Sequence, residues 1–343
     1  MDLPRLDSEA LLVLSVRNGG GSDAYLDRFV KEEQKRHPVV ILYPLPGGYE
    51  IEMHLLGGEI CRAKVMGIDE APLERKIPRC CGLFVNTLVH WPHIEACAFV
   101  GRLKSHYGSR LTVVFHDFNF VCPTWNLLYR GKVFCGCRAD CSSCLPHVDL
   151  AAFRAASAAL MAQADELRFF SSSSRALVNM LVPVDDEKAT VVPHQPLDAF
   201  KPLLSRPASP LVIAVVGNLT AARGSDFVAD FAKFLLAQEP SARLVILGRT
   251  ERPYSMRNVI VHGAYEHDEL PVLMDRYGVN VGFLTSICPE TFSYVVQELM
   301  MLGLPVACFD FGAQAERVGA YTRGAVIPTI TPQAAYEKIR GLI

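Results

Sequence analysis

Residues 211–236 read LVIAVVGNLTAARGSDFVADFAKFLL. Leu211 to Val216 is an uninterrupted apolar run of strand length. Gly217 to Gly224 is a turn rich in small and polar residues, and from Ser225 the apolar positions recur at helical spacing. A continuous apolar strand has no solvated face, so this unit is expected in the interior of a parallel sheet covered on both sides. Further strand signals at Leu244 to Leu247, Asn258 to Val261, Val279 to Phe283 and Leu304 to Phe309 alternate with helical segments and extend the sheet.

The same order occurs upstream. Ala10 to Val16 runs into Arg17-Asn18-Gly19-Gly20-Gly21 and then a helical pattern. Val39 to Tyr43, Leu83 to Thr87, Leu111 to Phe115 and Leu167 to Phe170 are strand candidates, with helices over about 94–106 and 150–164. Tyr49 to His54 and Glu59 to Ala63 are shorter, polar-edged strands of a locally mixed region. Ser171 to Ser174 is suited to capping the helix that follows it.

The chain has 343 residues, which suits two domains better than one core. Residues 195–210 contain four prolines and little periodicity, which places a linker at 201–210 between an N-terminal domain (1–200) and a C-terminal one (211–343). Thr331-Pro332 starts a last helix that ends after about three turns, so the end is either compact or part of a longer polypeptide with additional domains.

Lys plus Arg number 34 against 36 Asp plus Glu, so no global field gathers nucleic acid or an anionic membrane. No basic and aromatic stripe suggests a nucleic-acid module. No apolar run approaches the roughly 20 residues of a membrane span, and no signal-peptide pattern stands at the start. Eleven cysteines are present. Seven are scattered, and Cys135, Cys137, Cys141 and Cys144 form a cluster within a cysteine-bearing excursion at 122–147. Cys-x-Cys-x3-Cys-x2-Cys supplies four soft ligands in a short segment, so a structural zinc is expected there. Two disulfides, or four reduced thiols filling an ordinary turn, are the alternatives.

In open parallel sheets ligands bind outside the carboxyl ends of the strands. Gly217 and Arg223 flank the turn after the first strand of the second half, where backbone amides and a guanidinium can meet a phosphate. Leu247-Gly248-Arg249 repeats the arrangement. The bland alternative is two tight turns with surface arginines. Glu298 falls among Val295, Val296, Leu299 and Met300, an awkward place for a carboxylate unless a hydroxyl or cation meets it. Two glutamates solvated on a helix flank are the alternative for Glu290 and Glu298. His116-Asp117 ends a strong strand, although a lone histidine is more often structural than catalytic.

Pro289-Glu290-Thr291-Phe292-Ser293-Tyr294 through Glu298, followed by Gly303-Leu304-Pro305-Val306, resembles the signature of retaining GT-B-fold glycosyltransferases, the family that includes bacterial polysaccharide and lipid glycosyltransferases. The resemblance implies an α/β fold of two Rossmann-like domains whose parallel sheets face across a cleft. It implies a hexosyltransferase-type enzyme that moves a sugar from a nucleoside-diphosphate sugar to a saccharide, a lipid-linked saccharide or a protein. Catalysis would be metal-independent, without a catalytic cofactor, in the cytoplasm or by peripheral contact at the inner membrane surface.

By the same resemblance Glu298 holds the nucleotide ribose, Glu290 lies near the donor sugar, and the amides of Thr291, Phe292 and Ser293 bind oxygen. Arg223, helped by Arg249 and Gly217, meets the diphosphate. His116 contacts the sugar, and Gly19 and Gly20 form the flexible loop on the acceptor side. The family's second basic residue is missing: Phe227 and Val228 stand in its place. A sugar-nucleotide epimerase and a noncatalytic sugar-nucleotide-binding protein are the competing readings.

Overall fold

The computed structural model describes residues 3–137, 141, 144–195, 200–204 and 209–343. These form two compact units, one of Met1–Trp125 with Cys137–His194 and the other of Asn126–Gly136 with Gln195–Ile343. A short hairpin from the cysteine-bearing excursion therefore belongs to the second unit. Residues 205–208 of the expected linker lie outside the described residues, as do 138–140 and 142–143 of the excursion.

In chain order the elements up to the second unit are β1 (Ala10–Leu14), α1 (Gly21–Glu33), β2 (Val39–Leu45), β3 (Gly48–His54), β4 (Ile60–Met66), α2 (Ala71–Lys76), β5 (Cys80–Val85), α3 (His93–Tyr107) and β6 (Arg110–Val114). The hairpin β7 (Leu128–Tyr129) and β8 (Val133–Phe134) comes next, then α4 (Leu150–Gln163), β9 (Glu166–Phe169), α5 (Ser172–Asn179) and β10 (Ala189–Val191). The first unit's sheet has the order β10-β9-β6-β5-β1-β2-β3-β4. It is parallel from β10 to β2, and β3 and β4 add an antiparallel meander. That meander is the locally mixed region expected from the polar-edged strands. Ser171 caps α5 by accepting from the Ser174 amide at 3.1 Å, as its hydroxyl cluster suggests.

The second unit contains β11 (Val212–Val216), α6 (Ser225–Gln238), β12 (Arg243–Leu247), β13 (Val259–Gly263), α7 (Leu270–Tyr277), β14 (Val281–Leu284), α8 (Tyr294–Met301), β15 (Val306–Phe309), α9 (Gly312–Gly319), β16 (Gly324–Ile327) and α10 (Pro332–Arg340). Its six-stranded sheet is wholly parallel, ordered β13-β12-β11-β14-β15-β16. The side chains of β11 alternate between two cores, as a strand's period of two requires. Ile213 and Val215 pack with Phe227, Val228, Phe231 and Leu235 of α6. Val212, Ala214 and Val216 pack with Leu273, Val296 and Leu299 on the other face. Each large side chain buried this way contributes about 1.5–3 kcal/mol relative to exposure, which fixes the register of β11 and so the position of the turn that follows it.

Both sheets change direction at their first strand: β1 lies between β2 and β5, and β11 lies between β12 and β14. Such a switch point leaves a crevice at the carboxyl ends of the strands. The loops Arg17–Gly20 and Gly217–Gly224 open there.

Candidate active site

In the second unit a pocket at the carboxyl ends of β11 and β14 is lined by Gly217, Asn218, Arg223, Thr285 and Ser286. Two loops are joined to make it. The Ile287 amide donates to the Ala222 carbonyl at 3.0 Å, and the Thr285 hydroxyl donates to the Arg223 carbonyl at 2.7 Å. Gly224 allows the approach. It has φ 82°, and a Cβ there would stand 2.2 Å from the Thr285 carbonyl oxygen.

This junction brings Arg223 and Glu290 together. Arg223 Nη1 lies 3.2 Å from Glu290 Oε1, with the arginine side chain 40% exposed and the glutamate 14%. Ser286 Oγ donates to the same oxygen at 2.6 Å. The carboxylate is thus oriented by a hydroxyl and faced by a guanidinium that keeps much of its surface toward solvent. A half-exposed pair contributes little stability, so its interest is chemical.

The neighbouring turn rests on this one. The Leu219 amide donates to the Arg249 carbonyl at 2.8 Å, and the Arg249 amide donates to Asn218 Oδ1 at 3.3 Å. The Arg249 side chain is exposed. Phe227 and Val228 are buried in the core, where a cation would lack solvent or a partner.

Glu298 lies on α8 with only 6% of its surface exposed. Its Oε1 is 2.8 Å from His267 Nε2, and the His267 ring stacks on Phe200 with centroids 5.2 Å apart. A histidine is therefore the partner that the apolar surroundings of Glu298 require. Thr291, Phe292 and Ser293 are buried at the amino end of the same helix, and Ser293 caps it by accepting from the Val296 amide at 3.4 Å.

Sequence reasoning missed both His267 and Gln314. The Gln314 side chain is fully buried. Its Nε2 donates to the Cys288 carbonyl at 2.8 Å, and its Oε1 accepts from the Glu290 amide at 2.8 Å. Gly312 lies so close that a Cβ would meet Pro289 Cβ and the Glu290 carbonyl oxygen at 2.7 Å. The start of α9 therefore clasps the backbone of Glu290. No motif marks either residue, because each acts on a glutamate far away in sequence.

In the first unit His116 follows β6. Its Nε2 is 2.8 Å from Asn86 Oδ1, and its ring packs against Tyr25, Phe170 and His194 at centroid distances of 4.8, 4.7 and 5.3 Å. Burial, with the neighbouring His194, holds the imidazole well below its ordinary pKa, so it is neutral near pH 7. Asp117 accepts from the Thr87 hydroxyl at 2.7 Å and from the Asn119 amide at 2.8 Å, and burial raises its pKa. Gly19 and Gly20 are exposed, and the Gly19 amide donates to Asp23 Oδ2 at 2.7 Å.

Cys61, Cys80, Cys81, Cys97, Cys135, Cys288 and Cys308 are free thiols. Cys141 Sγ accepts from Arg154 Nη2 at 3.7 Å, and the Cys144 amide donates to the Cys141 carbonyl at 2.9 Å. Among the described residues no three or more His, Cys, Asp or Glu side chains are grouped to hold a metal ion. Among them, too, no helix is long and apolar enough to cross a membrane.

Residues 199–343, the part that carries the Arg223, Glu290 and Glu298 geometry, match the family described as "Glycosyl transferases group 1". The chain has the GT-B fold, and its second unit carries the match to this family. Solved structures of this fold align over nearly its whole length. The Anabaena protein HepE in complex with UDP-glucose is 15% identical, with TM-score 0.64, over 97% of this chain and 89% of that one. Sucrose-phosphate synthase from Thermosynechococcus elongatus is 15% identical, with TM-score 0.66, over 98% and 90%. The lipopolysaccharide outer core galactosyltransferase WaaB is 13% identical, with TM-score 0.58, over 97% and 88%. A search of curated proteins gave no match. The GT-B fold is thus the one expected from the Glu290–Glu298 signature, with two Rossmann-like units of parallel-stranded sheet.

Proposed function

We propose that this GT-B protein is a retaining, metal-independent glycosyltransferase of the hexosyltransferase type, which moves a sugar from a nucleoside-diphosphate sugar to a saccharide, lipid-linked saccharide or protein acceptor. The observation that carries this reading is the meeting of Arg223 and Glu290 at the carboxyl ends of β11 and β14, with the buried Glu298 on the helix that follows. HepE, with UDP-glucose in its structure, is a neighbour in fold and supports the same donor class.

In this reading the donor diphosphate lies against Gly217, Arg223 and the amides of Thr291, Phe292 and Ser293. Arg223, helped by Arg249 on the neighbouring turn, offsets the charge that grows on the leaving oxygen. A fixed cation and fixed N–H dipoles stabilise that charge without reorganising during the reaction. Glu290, oriented by Ser286 and by Gln314 through its backbone, faces the donor sugar, and Glu298 accepts from the ribose hydroxyls. A neutral His116 can share a hydrogen bond with a sugar hydroxyl. Gly19 and Gly20 form the acceptor-side loop, and the reaction belongs in the cytoplasm or at the inner membrane surface. Incubating the full chain with UDP-, GDP- and dTDP-sugars and a panel of saccharide and lipid-linked acceptors, followed by mass analysis, tests this. A glycosylated acceptor supports it; conversion of the donor sugar without an acceptor indicates an epimerase instead.

The cysteine cluster supports a second, structural proposal: zinc held by Cys135, Cys137, Cys141 and Cys144. Thiolate ligands suit zinc, and the segment would draw together on binding it. Elemental analysis of reduced protein should find stoichiometric zinc. Its absence, with folding intact after exhaustive chelation, rejects the site.

A further inference from the structure

Ser293 sits at the amino end of α8 with φ 72°, a left-handed conformation that is costly for an L side chain and persists only where its surroundings enforce it. Arg317, on the second turn of α9, packs against this turn. Its Nη1 donates to the Ser293 carbonyl at 3.5 Å, its Nη2 donates to Gln297 Oε1, and its guanidinium carbon lies 4.1 Å from the centroid of the Phe292 ring. One planar group thus touches three residues of the segment between Glu290 and Glu298.

Gln314, one turn earlier on α9, holds the other end of that segment through Cys288 and Glu290. The two residues divide the work, with Gln314 fixing the backbone that carries Glu290 and Arg317 fixing the turn that starts α8.

The electrostatics single out Arg317. Among the described residues its hydrogen-bond partners are neutral oxygens, and burial pushes its guanidinium down to about 10, opposed by the nearby Glu316. It therefore remains a cation without a carboxylate bonded to it, beside the amino end of a helix that itself favours negative charge. A purely packing role would be served by an apolar side chain, which carries no desolvation cost.

We propose that Arg317 is a positioning residue for the donor diphosphate: it clamps the Phe292–Ser293 turn so that the amides at the amino end of α8 are held ready for phosphate oxygens. The inference rests on the donor site described above and concerns a residue outside it.

The test is calorimetry on the full chain, on Arg317→Met and on Arg317→Lys, with UDP, GDP and ADP and with the matching nucleosides. For whichever diphosphate the wild-type chain binds, Arg317→Met should lose about 10-fold in affinity, while the nucleoside changes by less than about 2-fold. Arg317→Lys keeps a charge but not the planar fork, so it should lose an intermediate amount, about 3-fold. Placing Ser293→Gly beneath Arg317→Met should shrink the loss to below about 3-fold, because glycine adopts a positive φ without a clamp.

An Arg317→Met chain that binds the diphosphate like wild type overturns the proposal. So does an equal loss for diphosphate and nucleoside, or an undiminished loss in the Ser293→Gly background. Should Arg317→Met not fold, an Arg317→Lys chain with wild-type diphosphate affinity overturns it equally. Failure of the wild-type chain to bind any of the three diphosphates rejects the donor reading instead.

Discussion

The turn around Glu290 and the pocket around His116 both stand at the carboxyl end of a parallel strand, yet they are built from opposite materials. Glu290 is set among charge and polarity: its carboxylate meets Arg223 and Ser286, and its backbone amide donates to Gln314 Oε1. His116 is set among rings, with Tyr25, Phe170 and His194 around it and an amide oxygen as its polar partner. In the proposed reading the first arrangement lets the Arg223 guanidinium offer fixed counter-charge to a diphosphate while Ser286 orients the Glu290 carboxylate toward the donor sugar. The second keeps an imidazole neutral near pH 7, as the proposed contact of His116 with a sugar hydroxyl requires. A fold of two similar units can therefore place two chemistries by changing what surrounds one side chain.

Removing the charge of Glu290 should have the largest effect. Glu290→Gln keeps the shape and the backbone clasp, and we expect turnover to fall about 100-fold or more while the affinity for nucleoside diphosphate changes little. Transfer kinetics with unchanged turnover would place Glu290 outside the chemistry. His116→Ala should lower turnover about 10- to 100-fold and leave the affinity for free nucleotide intact. A loss of nucleotide affinity in that variant would erase the contrast drawn between the two pockets.

Glu298→Gln gives a smaller effect, because a charge-assisted hydrogen bond is worth about 1.5–3 kcal/mol. Binding of ribonucleotides should weaken about 10-fold or somewhat more, and inorganic pyrophosphate should bind as before. Equal weakening of both ligands would remove the ribose assignment.

Buried histidines also make a pH prediction. Burial lowers His93 to about 4, against a hydrogen bond with Asn119 that raises it, and it lowers His116 as well. Between pH 6.5 and about 4 the unfolded chain binds the proton that the folded chain refuses, so stability falls as pH falls through this window. For His93 the loss amounts to at most about 3 kcal/mol. Denaturant titrations of the wild-type chain and of His93→Gln should therefore converge as pH is lowered toward 4. A constant difference between them would show that His93 does not drive the acid sensitivity. Glu52 is held at about 2 by its hydrogen bonds to His54 and Arg62 and by the charges of Arg17 and Arg62, against its own burial, and its contribution is lost only at lower pH.

Much of the second unit was legible in the sequence. Residues 211–236 carry strand, turn and helix in their apolar spacing, and Glu290, Glu298 and Arg223 stand out because a charged residue at a strand end or among apolar neighbours needs an explanation. The short elements α2, β16 and the β7–β8 hairpin carry too few residues for a period to register. His267, Gln314 and Arg317 were silent for another reason. Each supports a site residue across a gap in sequence, and one polar residue on a helix looks the same whether it faces water or a carbonyl. The zinc expectation rests on spacing alone, because four thiols close in sequence need not converge in space.

The central claim is that Arg223 marks the diphosphate site of the second unit. Calorimetric titration of UDP, GDP and ADP, with their nucleosides, into the full chain and into Arg223→Ala tests it most directly. The account predicts that at least one diphosphate binds and that Arg223→Ala weakens it about 10- to 100-fold while the nucleoside is almost unaffected. Arg223→Ala binding that diphosphate as tightly as the wild-type chain, or no diphosphate binding at all, would contradict it.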